Sequence, residues 1–440
     1  KPQGAAQKIE AFDSSFDNLD KRTQRIDIGD LNIALLPKQT RGETVTVCMK
    51  FKSGDEKNLF GKSSLQPVAA AMLTRGTKTM TRSEIEDRMT ELKMAGSITN
   101  FTTTRKNLPA ALELVFDVMH NSIMPQDEFD QFKKQMQVMI ESMRDKPDAL
   151  AQNAITQHFN TYPKGDPRHE YSLDESLEQL NRLTVDQVRA FYKEFGGTSR
   201  GEISIVGDFD PKAVEKIIRD DYAKYVSKAH YAPIVTEYRP VQATRVVIDT
   251  PDKENATIVA RSVFPINDTS PDAPALTVAN WILGGGTGLS NRLIERLRQK
   301  EGLSYGAGSH VRIPAKGDNG SFVFRAIVAP QNMLQAEASA RDVIAKAIKD
   351  GFTEQEVEEA KKGLLQAMQV ARSQDDVVAR SWNDKMENQR TWVFSKKQAE
   401  AISKLTTADV NAALRKYIKP DEITFVLAGD QKKAAQKKQD

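Results

Sequence analysis

Arg298 and Tyr305 stand seven residues apart in the run GGGTGLSNRLIERLRQKEGLSYGAGS, Gly284 to Ser309. The run reads as a glycine loop, a short amphipathic helix beginning near Ser290, and a turn into a strand. This puts the arginine at the end of the helix and the tyrosine at the start of the strand. A guanidinium is a rigid fork of donors, and a phenol carries one hydroxyl on a stiff ring. Two such groups converging on one point can hold a peptide backbone or stabilise a developing oxyanion. The other reading makes Arg298 a solvated helix-end charge and Tyr305 a half-buried strand aromatic.

Other reactive residues are sparse. The five histidines, His120, His158, His169, His230 and His310, are scattered, none within five positions of another. Cys48 is the only cysteine, so no thiolate cluster and no internal disulfide can form. It sits in the alternating run Val45–Phe51, where a strand cysteine is expected to be buried and inert. The loop Gly284-Gly285-Gly286-Thr287-Gly288 lacks the Lys-Ser/Thr of a P-loop, and a dinucleotide fingerprint fails at Leu289. Its glycines are expected to let backbone pack closely before the helix.

Two motifs carry a family resemblance. Leu297, Arg298, Gly302, Leu303 and Tyr305 match, position by position, an L-R-x-x-x-G-L-x-Y run. Met72-Leu73-Thr74-Arg75-Gly76-Thr77 matches the tail of an H-x-x-E-H signature that ends in R-G-T. Together they make the chain resemble the pitrilysin/insulinase-type zinc peptidases, the inverzincins, and specifically the Arg/Tyr-bearing half. The residues standing where H-x-x-E-H would be are Pro67-Val68-Ala69-Ala70-Ala71. None can ligate a metal or take a proton, whereas a hydrolytic zinc site needs three ligands, an open position and a base. The resemblance puts the family's third ligand near Glu141, which by itself reads as an exposed helix carboxylate. No metal and no cofactor is expected on this chain; zinc is expected in a partner half.

Composition bounds the rest. The 440 residues, 39% hydrophobic and 28% charged, suffice for two or three domains with cores of their own. Lys+Arg 63 against Asp+Glu 60 gives a net charge of +3, which lends nucleic-acid binding no support. No apolar run approaches the roughly 20 residues of a membrane helix. The chain starts at Lys1 rather than Met, so a removed leader or an upstream segment is expected. A periplasmic or secreted location is the expectation.

The chain also repeats itself. Leu183–Arg189 recurs as Leu405–Asn411 at an offset of 222 residues, and the strand from Glu202 recurs from Glu422 at an offset of 220. That is half the chain, which fits two homologous domains. Strands are expected at 24–36 (with a turn at Gly29-Asp30), 44–51, 97–104, 245–249, 257–264 and 320–329. Thr81-Arg82-Ser83-Glu84 and Thr353-Glu354-Gln355-Glu356 read as helix starts. A helix after Pro125 carries Phe129, Phe132, Met136, Met139 or Ile140, and Met143 as an apolar stripe expected in the core. Strands and helices come in blocks. The expected fold is α+β: two homologous domains, each an antiparallel sheet covered by helices on one side. The expected divisions are a linker at 1–22, domains at 23–225 and 243–430, a connector at 226–242 and a basic tail at 431–440.

The resemblance implies a division of labour. This chain would be the non-zinc-binding half or subunit of a metalloendopeptidase, inactive alone. Arg298 and Tyr305 would hold the peptide substrate beside the zinc of an H-x-x-E-H-containing half, either upstream in the same polypeptide or a separate subunit. A homo-oligomer is a further expected partner state. The alternative is a peptidase-like structural or binding subunit with the chemistry lost.

Overall fold

The computed structural model describes residue 9 and residues 11–287 and 291–436. Its strands are β1 (Gln24–Ile28), β2 (Asp30–Pro37), β3 (Thr44–Phe51), β4 (Ala95–Gly96), β5 (Asn100–Thr104), β6 (Arg200–Gly207), β7 (Arg245–Asp249), β8 (Ala256–Pro265), β9 (Ser304–Arg312), β10 (Asn319–Val328) and β11 (Thr424–Gly429). One sheet has the order β1-β2-β6-β3-β5-β4 and the other β7-β11-β8-β10-β9. With the edge strand β1 set aside, the two orders coincide strand for strand. The pairings coincide as well. In each sheet one pair is parallel, β2 with β6 and β7 with β11, and the others are antiparallel. Two homologous α+β domains are therefore present, with mixed sheets rather than wholly antiparallel ones. The strand that closes each parallel pair arrives after a long helical excursion, so its direction cannot be read from local pattern.

The repeated segments occupy equivalent places. Helices Val185–Phe195 and Thr407–Tyr417 both open with a capping box, at Thr184 with Gln187 and at Thr406 with Asp409. Each leads into an interior strand of its sheet, β6 or β11. The turn at Gly29 (φ +57°) separates β1 from β2 as expected. The strand expected over 97–104 is a small hairpin, β4 turning into β5. In the helix Gln126–Met143, Phe129 and Ile140 are buried but Met139 is exposed, so the methionine stripe is only partly core. Phe16–Arg22, inside the segment expected as a linker, is a helix capped by Ser15 and anchored by a fully buried Leu19. Seven residues with one buried side chain are too few to show a period.

Helices cover both faces of each sheet, not one. Side chains alternate across a strand. Ile33, Leu35, Ile203 and Ile205 face the first domain's own helices, whereas Ala34, Leu36, Cys48 and Val206 face Val378, Ala379, Trp382 and Met386 of the helix Asp375–Glu387. That helix belongs to the second half. Reciprocally, Ile258, Ala260, Phe425 and Leu427 face their own domain, whereas Val259, Val426 and Ala428 pack on Ala151 and Ile155 of the helix Pro147–His158 from the first half. Each half thus lends one helix to the other's sheet. Burial on both faces explains the uninterrupted apolar runs of β2 and β11. Charges follow the same path: Lys52, just after β3, lies 2.6 Å from Glu202 of β6 and 3.3 Å from Glu387, while Lys50 of β3 lies 2.7 Å from Glu387. Among the described residues no helix is long and apolar enough to cross a membrane.

Candidate functional site

The helix carrying Arg298 is fastened on three sides. Leu293 and Leu297, one turn apart, are buried in the second domain's core. Arg292 makes a two-pronged pair with Glu356 at 2.8 and 2.7 Å. Arg296 pairs with Glu301 and, at 2.8 Å, with Asp342. Asn291 is fully buried; its Oδ1 accepts from the Ile294 N–H at 2.8 Å and its amide donates to the Gly286 carbonyl at 3.1 Å. It therefore caps the helix and ties down the middle of the glycine loop. The start expected at Ser290 lies outside the described residues. Close packing of the loop is as expected, because a Cβ on Gly284 would sit 2.4 Å from Ser309 Oγ and 2.7 Å from Leu293 Cδ1.

Two widened helical turns flank that loop. The Gly286 N–H bonds the Trp281 carbonyl at 2.9 Å and the Glu301 N–H bonds the Arg296 carbonyl at 3.1 Å, both five residues back. Such π-type turns are rare and concentrate at functional sites. The second turn ends at Gly302 (φ +59°), with the Leu303 N–H on the Leu297 carbonyl at 2.7 Å. This left-handed cap suits glycine and turns the chain sharply into β9.

Tyr305 is the extra residue of a β-bulge. Ile327 of β10 pairs with Gly306, but the next residue, Val328, pairs with Ser304, so Tyr305 has no partner opposite. The buried Ser304 closes the bulge, its hydroxyl 3.0 Å from the Ile327 carbonyl and accepting from the Gly306 N–H at 3.1 Å. Bulges re-aim side chains and recur beside active sites. The Tyr305 ring is 66% exposed and Arg298 is exposed. Neither side chain makes a hydrogen bond or ion pair with the described residues. Of the three arginines on this turn two are locked to carboxylates, and the third, like the Tyr305 phenol, has no such partner among the described residues. Sequence reasoning singled out the pair but not the bulge, which depends on pairing with Ile327 and Val328 at the far end of the next strand.

The helix Leu65–Met72 carries the residues that stand where H-x-x-E-H would be, with Pro67 and Ala70 exposed and Ala69 buried. The adjoining cavity of about 120 Å³ is lined by Leu59, Ala69, Leu73 and Phe191 among others. None of these side chains fits a zinc ion. Among the described residues no group of three or more His, Cys, Asp or Glu is arranged to hold a metal. Glu141 lies on an exposed helix surface, 3.4 Å from Arg144. The R-G-T tail has a structural use of its own. Arg75 pairs with Glu128 at 3.3 Å, Gly76 lies against Pro125, and the Thr77 hydroxyl accepts from the Met80 N–H at 3.0 Å. The tail can therefore persist without the chemistry. Cys48 is buried, and burial pushes its thiol up to about 11, with Arg380 opposing.

Comparison with known proteins gives this geometry a context. Residues 182–364 match the family described as the peptidase M16 inactive domain. Over that span the chain is similar to the side of the M16 peptidases described as inactive. The matched span includes Arg298 and Tyr305 and lies outside Pro67–Ala71. An uncharacterized zinc protease of Mycobacterium bovis is 26% identical over 261 residues, 59% of this chain and 57% of that protein. The chain thus spans less than three-fifths of the curated relatives of this kind. A Helicobacter pylori protein described as a non-peptidase homolog is 23% identical over 185 residues, 41% of each chain. The fold is that of a peptidase M16 inactive domain from Pseudomonas fluorescens, at TM-score 0.77, 20% identity and coverage of 92% and 97%. The periplasmic protease PqqL of Escherichia coli gives TM-score 0.67 at 15% identity, covering 97% of this chain but 47% of that one.

Proposed function

We propose that this chain is the non-zinc-binding half or subunit of a zinc metalloendopeptidase, and that it supplies substrate binding and transition-state stabilisation to a half that holds the metal. The supporting observation is the pair of unpartnered donors on a rigid base: Tyr305 on a bulge and Arg298 beyond two anchored arginines. The arginine fork grips neighbouring peptide groups of an extended substrate, and the Tyr305 hydroxyl donates to the carbonyl oxygen that gains charge. Such donors, fixed before the reaction, cost no reorganisation during it. The metal and the attacking water belong to the partner. That PqqL is about twice the length of this chain is in keeping with a two-half arrangement.

The test is reconstitution with the H-x-x-E-H-containing half, whether encoded upstream or by a neighbouring gene. Peptide hydrolysis should require both halves, and this chain alone should be inert and free of stoichiometric zinc. Full hydrolysis by the zinc half without this chain would refute the reading. The Helicobacter non-peptidase homolog supports a second reading, a binding or structural subunit. On that reading the two chains associate, but no peptide is cleaved faster.

A further inference from the structure

A cleft of about 380 Å³ lies between the two halves. Its walls are the helix Pro147–His158 with the loop after it, the connecting residues 236–241, and β8, β9 and β10. Four arginines line it, Arg168, Arg239, Arg261 and Arg312, and they differ in what they already hold. Arg168 is satisfied by Asp166 at 2.9 Å, Glu56 at 2.5 Å and the Val235 carbonyl at 3.0 Å. Arg239 donates to the Thr161 carbonyl at 3.0 Å and lies 4.0 Å from the Tyr162 ring centre. Arg261 and Arg312 have no carboxylate partner among the described residues.

Arg261 is the anomaly. It sits in the middle of β8, opposite Thr424 of one neighbouring strand and Val323 of the other. It points to the face that packs on the other half, with its guanidinium 4.9 Å from the Phe159 ring centre. Its Nε is buried without a hydrogen-bond partner. Burial, and after it the charge of Arg312, push its pKa down, with Glu170 opposing. A guanidinium does not deprotonate to escape such a place. An unpaired charge partly withdrawn from water is costly, and a like charge beside it adds to the cost. Glu170 and Glu237, the cleft's two carboxylates, are exposed and leave Arg261 unpaired.

We propose that this cleft binds a small oxyanion, a carboxylate or phosphate group, held by Arg261 and Arg312 across the junction of the two halves. Two forks of N–H donors suit the paired oxygens of either group. The ligand touches both halves and braces them against each other. The site is separate from Arg298 and Tyr305, so its standing does not depend on the proposed peptidase role.

Calorimetric titration of the intact protein with inorganic phosphate and, separately, citrate at fixed ionic strength tests this. At least one anion should bind saturably with a Kd of about 1 mM or below. Binding should weaken at least about tenfold, a change of 1.4 kcal/mol, in Arg261→Met and in Arg312→Ala. Phosphate alone would mark a phosphate-bearing ligand, and citrate alone a polycarboxylate. Arg261→Met keeps the stem on Phe159 and removes the unpaired charge. It should raise the Tm of the free protein and abolish the rise that the anion gives the wild type. Should Arg261→Met not fold, Arg312→Ala on the exposed edge strand carries the test. No saturable binding of either anion, or wild-type affinity in the folded variants, overturns the proposal.

Discussion

At the scale of single residues, the candidate site is set by what its neighbours are tied to. Arg292 and Arg296 hold carboxylates and Arg298 does not, though all three look alike in the sequence. The L-R-x-x-x-G-L-x-Y match pointed to this turn of chain, and Gly302 shows why its glycine is needed. The contribution of Asn291 was not legible, because its partners are backbone groups placed by the folded loop. Asn291→Ala leaves the Gly286 carbonyl and the Ile294 N–H without their partner, and should cost about 1–3 kcal/mol, read as a loss of Tm. Cys48 makes the opposite case, since strand alternation alone marked it as inert. Its thiol should resist a disulfide reagent at pH 8 until the protein is unfolded; prompt labelling of the native protein would contradict its burial. Its folded pKa is raised from 9.0 to about 11. Its contribution to stability is therefore complete below pH 9 and lost as pH rises toward about 11.

At the scale of elements, local chemistry was readable and long-range coverage was not. The capping boxes at Thr81 and Thr353 formed as their sequences indicate, and β7 has the expected bounds. The equivalent boxes at Thr184 and Thr406 should be equivalent in energy. Thr184→Ala and Thr406→Ala should each cost about 1 kcal/mol, measured by denaturant unfolding. What the pattern hid was the second face of each sheet. A helix that covers a sheet some 330 residues away in sequence has the same amphipathic pattern as one packing next door. Trp382 marks that hidden contact: it is 1% exposed, and its indole N–H donates to Thr23 Oγ1 at 3.1 Å. Trp382→Ala should cost about 3–5 kcal/mol, as for other buried aromatics. A loss below 1 kcal/mol would mean that the helix Asp375–Glu387 is not seated on β3 and β6.

At the scale of the whole molecule, the exchanged helices make the two halves one cooperative unit. Residues 226–244 form neither helix nor strand, yet the Lys50–Lys52–Glu202–Glu387 cluster and two apolar seams join what that segment connects. A protease cut within 226–244 should leave the two fragments co-eluting, and the intact chain should unfold in one calorimetric transition; separated fragments or two transitions would contradict the packing. Self-similarity in the sequence revealed the duplication but not the exchange, because a repeat shows what each half is and not which half its helices serve. Beyond the chain lies the proposed partner. The most direct measurement is steady-state peptide hydrolysis by the assembled halves with Arg298→Ala and Tyr305→Phe combined in this chain. Turnover should fall by at least about 10²–10³, as for loss of a fixed oxyanion donor, with the zinc content of the partner and the Tm of this chain unchanged. Wild-type turnover in that assembly would make both residues bystanders and remove the basis of the assignment.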